Sequence, residues 1–271
     1  VDPNLRAWYK LDGDGTDSSG YGRDLILNGE PGFVEAIQDQ GMAADGVDDY
    51  GVYEFLTEEW LAYTITGWAK LDGPDAANNE SMFSSFGGTT DGFQIDVDGT
   101  SDTYRFNGEN EQATFGPESD GWVHLAVAYD GLRANLFYNG KYVETLFTTE
   151  GTFDQFGVGT NRSRGTLFGG IIDDVRIYDR ELTDPEIILV MRGDLSIAWN
   201  PNPGDGASGV ELAPTLSWTP GDYALPPGGL HYVYFGADDP ANMVLQPSQP
   251  QAPNDFDPGS LDLSTTYYWQ I

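Results

Sequence analysis

The sequence predicts an all-β protein of two modules. Three observations lead there. Glycine and proline are abundant, 35 and 16 of 271 residues, and they cut the chain into short runs. Those runs alternate apolar and polar residues with a period of two, as half-buried strands do. The basic residues also stop abruptly: all 12 precede position 193, while nine acids and no Lys or Arg are spread over 194–271.

Strands are expected at 6–11, 24–27, 50–55, 63–71, 93–97, 103–106, 122–129, 134–138, 141–144 and 171–178. Asn139-Gly140 is the strongest hairpin signal, because Asn-Gly supplies the two positive φ angles of a type I′ turn between apolar runs. In 122–129, Val123, Leu125, Val127 and Tyr129 share one face, and Trp122, His124, Ala126 and Ala128 the other. Neither face is strongly polar, which puts this strand in the middle of a sheet whose second face is partly covered. A short helix fits 184–191, with Thr183 or Asp184 as N-cap, Pro185 at its first position and Gly193 as its stop. The turn cluster Asn200-Pro201-Asn202-Pro203-Gly204 then opens a second module with strands at 215–218, 231–235 and 266–271. The modules are expected at 1–193 and 194–271.

Composition excludes several classes. The net charge is -32, from 44 acids against 12 basic residues, so no basic surface exists to release counterions from nucleic acid. Aromatics at 13% rule out an acidic disordered tail. No run nears the ~20 apolar residues that span a bilayer, so no membrane insertion is expected. Without cysteine there is no disulfide, thiolate zinc site or cysteine nucleophile. The start at Val1-Asp2-Pro3 and the apolar end at Tyr267-Tyr268-Trp269-Gln270-Ile271 read as a piece of a longer protein.

Several stretches in order resemble one family. They are Ala7-Trp8-Tyr9-Lys10-Leu11-Asp12, Asp17-Ser18-Ser19-Gly20, Asp45-Gly46-Val47-Asp48-Asp49-Tyr50 and Thr64-Ile65-Thr66-Gly67-Trp68. Gly121-Trp122-Val123-His124-Leu125, Tyr129-Asp130-Gly131, Phe137-Tyr138-Asn139-Gly140 and Gly170-Ile171-Ile172-Asp173-Asp174-Val175-Arg176-Ile177-Tyr178 follow. Together they resemble the laminin-G-like, concanavalin A-like jelly-roll modules of bacterial secreted proteins. The later stretches Leu216-Ser217-Trp218-Thr219-Pro220, Val233-Tyr234-Phe235-Gly236 and Thr265-Thr266-Tyr267-Tyr268-Trp269 resemble a fibronectin type III-like module. The resemblance implies a concanavalin A-like jelly-roll sandwich followed by a smaller, incomplete immunoglobulin-like (fibronectin type III-like) β-sandwich. It places the strand at 7–11 near that at 171–178. It implies a non-catalytic module that binds a polysaccharide or another extracellular protein, at the cell surface or outside the cell. The alternative is a structural or protein-interaction spacer with no glycan ligand.

Four constellations carry candidate chemistry. Asp12, Asp14 and Asp17 lie in a Gly-rich loop that reads first as a polar turn and second as a site for a hard cation. The resemblance implies a structural Ca2+ held by Asp17 and Asp173 with loop carbonyls from 19–23, and Asp12, Asp14 and Asp174 as lesser ligands. Asp45, Asp48 and Asp49 read first as a solvated turn. Arg162 and Arg164 sit in one loop, paired with neighbouring acids or forked onto the carboxylate or sulfate of an acidic sugar. Trp60, Tyr63, Tyr104 and Tyr142 are candidate stacking platforms for sugars, with Trp60 and Tyr104 foremost beside the two arginines. Trp8, Trp68 and Trp122 read as core. The Glu-x-Asp-x-x-Glu run of the related jelly-roll glucanases is missing, and His124 and His231, the only two histidines, suggest no catalytic triad.

Overall fold

Apolar residues at every second position give each strand one face to bury, and the first unit, Val1–Met191, buries those faces between two antiparallel sheets. The computed structural model describes residues 2–72, 79–86, 92–108, 111–119, 121–147, 152–193, 198–204, 206–221, 231–247 and 254–271. In chain order the first unit has β1 (Leu5–Tyr9), β2 (Ile26–Asn28), β3 (Gly32–Glu35), β4 (Gln40–Asp45), β5 (Tyr50–Glu59), β6 (Tyr63–Leu71), β7 (Ser81–Phe86) and β8 (Gln94–Asp98). It continues with β9 (Thr103–Asn107), β10 (Gln112–Pro117), β11 (Val123–Tyr129), β12 (Arg133–Tyr138), β13 (Lys141–Phe147), β14 (Thr152–Val158), β15 (Gly169–Tyr178) and the helix α1 (Asp184–Arg192).

One sheet has eight strands in the order β13-β12-β11-β6-β15-β4-β3, with β1 also pairing β15; the other has seven, β10-β9-β8-β7-β14-β5-β2. The expected neighbours β1 and β15 pair antiparallel, with Trp8 opposite Arg176. The hairpin forms as expected, with Asn139 at φ 49° and Gly140 at φ 71°. All seven residues of β11 are buried, and it lies between β6 and β12. Its odd-numbered residues enter the core between the sheets, while Ala126 and Ala128 pack with Phe137, Leu182 and Ile187 under α1. The helix starts where its caps predict: Glu186 Oε2 accepts from the Thr183 N–H and Oγ1, both at 2.8 Å, and Gly193 has φ 62°. Trp68 Nε1 ties the last turn down by donating to the Met191 carbonyl at 3.3 Å. Gly67 of β6 lets the sheets meet closely, since a Cβ there would lie 2.6 Å from the Phe83 ring.

The second unit, Arg192–Ile271, holds β16 (Trp199–Asn202), β17 (Leu216–Thr219), β18 (Tyr234–Ala237), β19 (Val244–Leu245), β20 (Asp255–Phe256) and β21 (Tyr267–Gln270). They form two three-stranded sheets, β16-β17-β20 and β19-β18-β21. Leu216, Trp218, Val233 and His231 are buried there, and Trp218 packs against Trp269 and the edge of His231. Among the described residues β21 pairs with β18 alone. A cavity of about 1030 Å³ lies beside it, lined by residues such as Leu212, Leu216, Trp218 and Trp269.

Candidate functional site

The outer faces of the two large sheets differ. That of the eight-stranded sheet is partly closed by α1, as described. That of the seven-stranded sheet is polar over β8 and β9 and turns apolar toward Val52 and Ile26. Ile95 and Val97 of β8 enter the core, so Gln94 and Asp96 face away from it. Tyr104 and Phe106 of β9 do the same, which turns Arg105 and Asn107 outward. Antiparallel register sets these residues side by side. One row runs Gly157, Ser84, Gln94, Asn107 and Gln112 across five strands. In the next row Asp96 stands opposite Arg105.

Asp96 is fully buried although it faces away from the core, and Ser84, Gln94, Arg105 and Asn107 beside it are buried as well. It accepts from Arg105 Nε at 2.9 Å and Nη2 at 2.8 Å, from Gln94 Nε2 at 2.5 Å and from Asn107 Nδ2 at 3.5 Å. Arg105 Nη2 also donates to Asn79 Oδ1 at 2.9 Å, and Nη1 lies 3.8 Å from Asp98. Such a fork fixes the plane of the guanidinium. Gln112 Nε2 donates to Asn107 Oδ1 at 3.1 Å and extends the array to the sheet edge.

The loop with Arg162 and Arg164 borders this array. The Arg162 N–H meets Gln94 Oε1 at 3.4 Å, and its Nη1 donates to the Gly92 carbonyl at 2.8 Å. Arg164 Nη2 donates to Glu54 Oε1 at 3.0 Å and Gln155 Oε1 at 2.5 Å. Both arginines proposed for an acidic sugar therefore hold acceptors of the protein itself. The dip among Ser84, Gln155, Thr160 and Arg162 measures about 10 Å³, room for a single water. A ligand here lies on the face, not inside it.

The candidate metal ligands fall into separate places. A bulge in β15 between Asp173 and Arg176, with Asp174 at φ 50°, re-aims the two adjacent acids. Asp174 accepts from Trp8 Nε1 at 2.6 Å and pairs with Arg176 at 3.0 Å, which fastens β1 to β15. Asp173 is fully buried: Oδ2 accepts from the Gln38 N–H at 2.8 Å, and Oδ1 has no hydrogen-bond partner. Burial pushes its carboxyl up to about 8; the charges of Asp174 and Asp12 add to this, and the Gln38 N–H opposes it. Asp12 accepts from the Gln40 N–H at 3.0 Å, so Asp12 and Asp173 both hold the 38–40 turn.

Asp17 is committed to its own turn. It accepts from the N–H groups of Trp8, Ser19 and Arg23 at 2.9, 2.8 and 3.0 Å, and from Ser19 Oγ at 2.8 Å. Burial raises its pKa, but these donors outweigh burial and hold it below the usual carboxylate range. Asp14 is exposed and accepts from the Thr16 N–H. Among the described residues one group of three acids brings ligand atoms within 4.8 Å of one another, Asp45, Asp48 and Asp49. Asp45 there accepts from the Val47 and Asp48 N–H groups, as a turn residue does.

The aromatic candidates need correction. Tyr104 and Tyr63 are completely buried, because their positions on β9 and β6 point into the core, and they offer no face to a sugar. Trp60 is half-buried against that core, with the Arg23 guanidinium 6.0 Å from its ring. Tyr142 is the exposed one, at 53%. Trp8, Trp68 and Trp122 are half-buried rather than enclosed. His124 is buried with Nε2 2.5 Å from Thr66 Oγ1, and burial, aided by the charge of Arg176, lowers its pKa to about 3.

Sequence reading passes over Gln94, Asp96, Arg105, Asn107 and Gln112. The alternation around them is visible, but their grouping depends on register between strands.

A family model described as the concanavalin A-like lectin/glucanases superfamily matches residues 50–188. No curated protein matches. Among solved structures, domain 4 of AbnA, a GH43 extracellular arabinanase from Geobacillus stearothermophilus, in complex with arabinotriose, is 18% identical. It covers 69% of this chain and 98% of that one, with a TM-score of 0.58. The receptor binding domain of botulinum neurotoxin C/D mosaic serotype is 12% identical over 91% of this chain and 69% of that one, with a TM-score of 0.61. The binding domain of botulinum neurotoxin DC in complex with rat synaptotagmin II is 13% identical over 92% of this chain and 63% of that one, with a TM-score of 0.57. At such identities the likeness is one of fold.

Proposed function

From the premise that the chain belongs to the concanavalin A-like lectin/glucanases superfamily, we propose a non-catalytic glycan-binding module of a secreted or cell-surface protein. The observation that carries this reading is the polar array of the seven-stranded sheet, where the exposed Gln112 is held by a buried layer of Gln94, Arg105 and Asn107 fixed by one another and by Asp96. Amides and a guanidinium fixed before the ligand arrives spare it the entropy of ordering them. Sugar hydroxyls both donate and accept, and so do amides. The arabinotriose complex of a domain with this fold supports the reading. The second unit, in this reading, is a fibronectin type III-like spacer, with the modules divided near 193.

The test is retardation in gels that contain a panel of polysaccharides. An Asn107→Ala, Gln112→Ala variant is expected to lose about tenfold or more in affinity, at roughly 1 kcal/mol per hydrogen bond. Tyr142→Ala, on the other sheet, is expected to keep it. Wild-type protein retarded by no polysaccharide would leave the spacer reading in its place.

A structural calcium ion belongs to this proposal. Asp173 offers a buried carboxylate oxygen with no hydrogen-bond partner, Asp12 lies close enough to raise its pKa, and main-chain carbonyls would complete an oxygen shell. Such an ion would rigidify the 38–40 turn against β15. An ion that binds the folded state alone adds about 2.7 kcal/mol at 100 times its Kd. Chelation is therefore expected to lower the unfolding temperature at fixed high salt, and Asp173→Asn to abolish that shift. No shift in the wild type would remove calcium from the proposal.

A further inference from the structure

We propose that the second unit takes up an extended, basic segment of another protein as an added strand beside β21. Three observations on this unit carry the proposal, and none depends on the polar sheet face of the first.

The edge itself comes first. Asp238 donates its N–H to the Thr266 carbonyl at 2.9 Å, and the register runs on with Gly236 opposite Tyr268 and Tyr234 opposite Gln270. Main-chain groups alternate in direction along a strand, so Thr266, Tyr268 and Gln270 turn theirs toward β18. The N–H and C=O groups of Tyr267 and Trp269 point the other way, and among the described residues no strand meets them. Two edges of the first unit are blunted. β10 carries Pro117 and a bulge, and β13 carries Lys141, Glu144 and a bulge. β21 is Tyr-Tyr-Trp-Gln in unbroken register, with no charge or proline to turn a strand away.

The space beside this edge is apolar. Tyr267 stacks on Phe235 at 5.3 Å and Trp269 packs on Trp218 at 6.2 Å, so both side chains lie on the face turned to the other small sheet. Both stay half-buried, with the cavity of about 1030 Å³ next to them. Its lining includes Trp218, which is 6% exposed and whose Nε1 has no hydrogen-bond partner. A strand laid along β21 pairs its main chain with Tyr267 and Trp269 and lowers every second side chain into this cavity.

Charge selects the strand. Residues 194–271 hold nine acids and no Lys or Arg, and the exposed Glu211 and Asp262 line the cavity. A basic segment gains from that field, while a second copy of this chain, at net charge -32, is repelled by it.

The experiment follows amide hydrogen exchange of the whole chain, alone and with end-blocked peptides of about seven residues that alternate Val and Thr. One peptide has Lys at both ends, and its twin has Glu. In the chain alone the N–H groups of Tyr267 and Trp269 are expected to exchange fast and that of Tyr268 to be protected. The Lys peptide is expected to protect the first two. It should bind about tenfold or more tighter than the Glu peptide at about 0.05 M NaCl, with the difference shrinking at about 1 M. Glu211→Gln with Asp262→Asn, both at exposed positions, should reduce that preference. A Lys peptide N-methylated at alternate residues keeps its side chains but cannot pair, and is expected not to bind. Fast exchange at Tyr267 and Trp269 with every peptide would overturn the proposal. Equal affinity of the twins would overturn it too, since charge would then select nothing. Protection of the two amides in the chain alone would mean that the edge is already covered, by the chain itself or, where it grows with concentration, by a second copy. Either result also overturns the proposal.

Discussion

A carboxylate removed from water keeps its charge only where donors replace the water it lost, and Asp96 has four of them. Asp96→Ala leaves a mostly buried guanidinium without its partner. The expected loss is about 3–5 kcal/mol, read from the urea midpoint, and Asp96→Ala with Arg105→Met should lose clearly less. A double variant as unstable as the single one would show that packing, not charge, is at stake. His124 behaves oppositely, because it is buried neutral. Its pKa falls from 6.5 to about 3, with burial the larger cause and the Arg176 charge adding to it. The unfolded chain then takes up the proton first, so stability declines as pH drops from about 6.5 toward 3. His124→Gln is expected to flatten the pH dependence of stability in that window, and an unchanged slope would place it on other groups. At this scale the sequence is only half legible. Asp17 is recognisable as a loop acid, but the four donors around it are set by the fold. Tyr104 looks like any other tyrosine until its strand is seen to point it inward.

Strands announce themselves when their alternation is strong and their residues favour extension, as at β6, β8, β9 and β11. Those that escape sequence reading lack one or the other. β4 is Gln-Gly-Met-Ala-Ala-Asp, poor in β-branched residues, and its pairing with β15 through Ala43 and Met42 stabilises it. β10 ends in Gly116-Pro117 and reads as a turn, yet it is the edge of its sheet, where proline is tolerated. Gly67 in β6 has a different reason for being small: Phe83 from the other sheet occupies the space where its side chain would be. Gly67→Ala should cost about 1–3 kcal/mol through overpacking, measured by thermal unfolding. Unchanged stability would mean that the Phe83 ring can turn aside freely.

The whole molecule carries its excess of carboxylates over both units, so repulsion acts throughout. Raising NaCl from about 0.01 M to about 1 M is expected to raise the unfolding temperature, since the screening length falls from about 30 Å to about 3 Å. A flat response would mean that the acids are spaced beyond one another's reach. The all-β class and the jelly-roll order of the first unit are legible because each motif marks a strand end or turn whose residues the backbone demands. Which face is the candidate surface is not, since both sheets alternate alike and the placement of α1 tells them apart. The position of β15 has a kinetic consequence. This strand fills the middle of the eight-stranded sheet, pairing with β4, β6 and β1, and contacts such as Trp8 with Asp174 join residues 166 positions apart. Closing so long a loop is entropically costly before any contact repays it. On the ribosome, therefore, β1 must wait for β15, and the eight-stranded sheet closes late and cooperatively, after its other strands have already emerged.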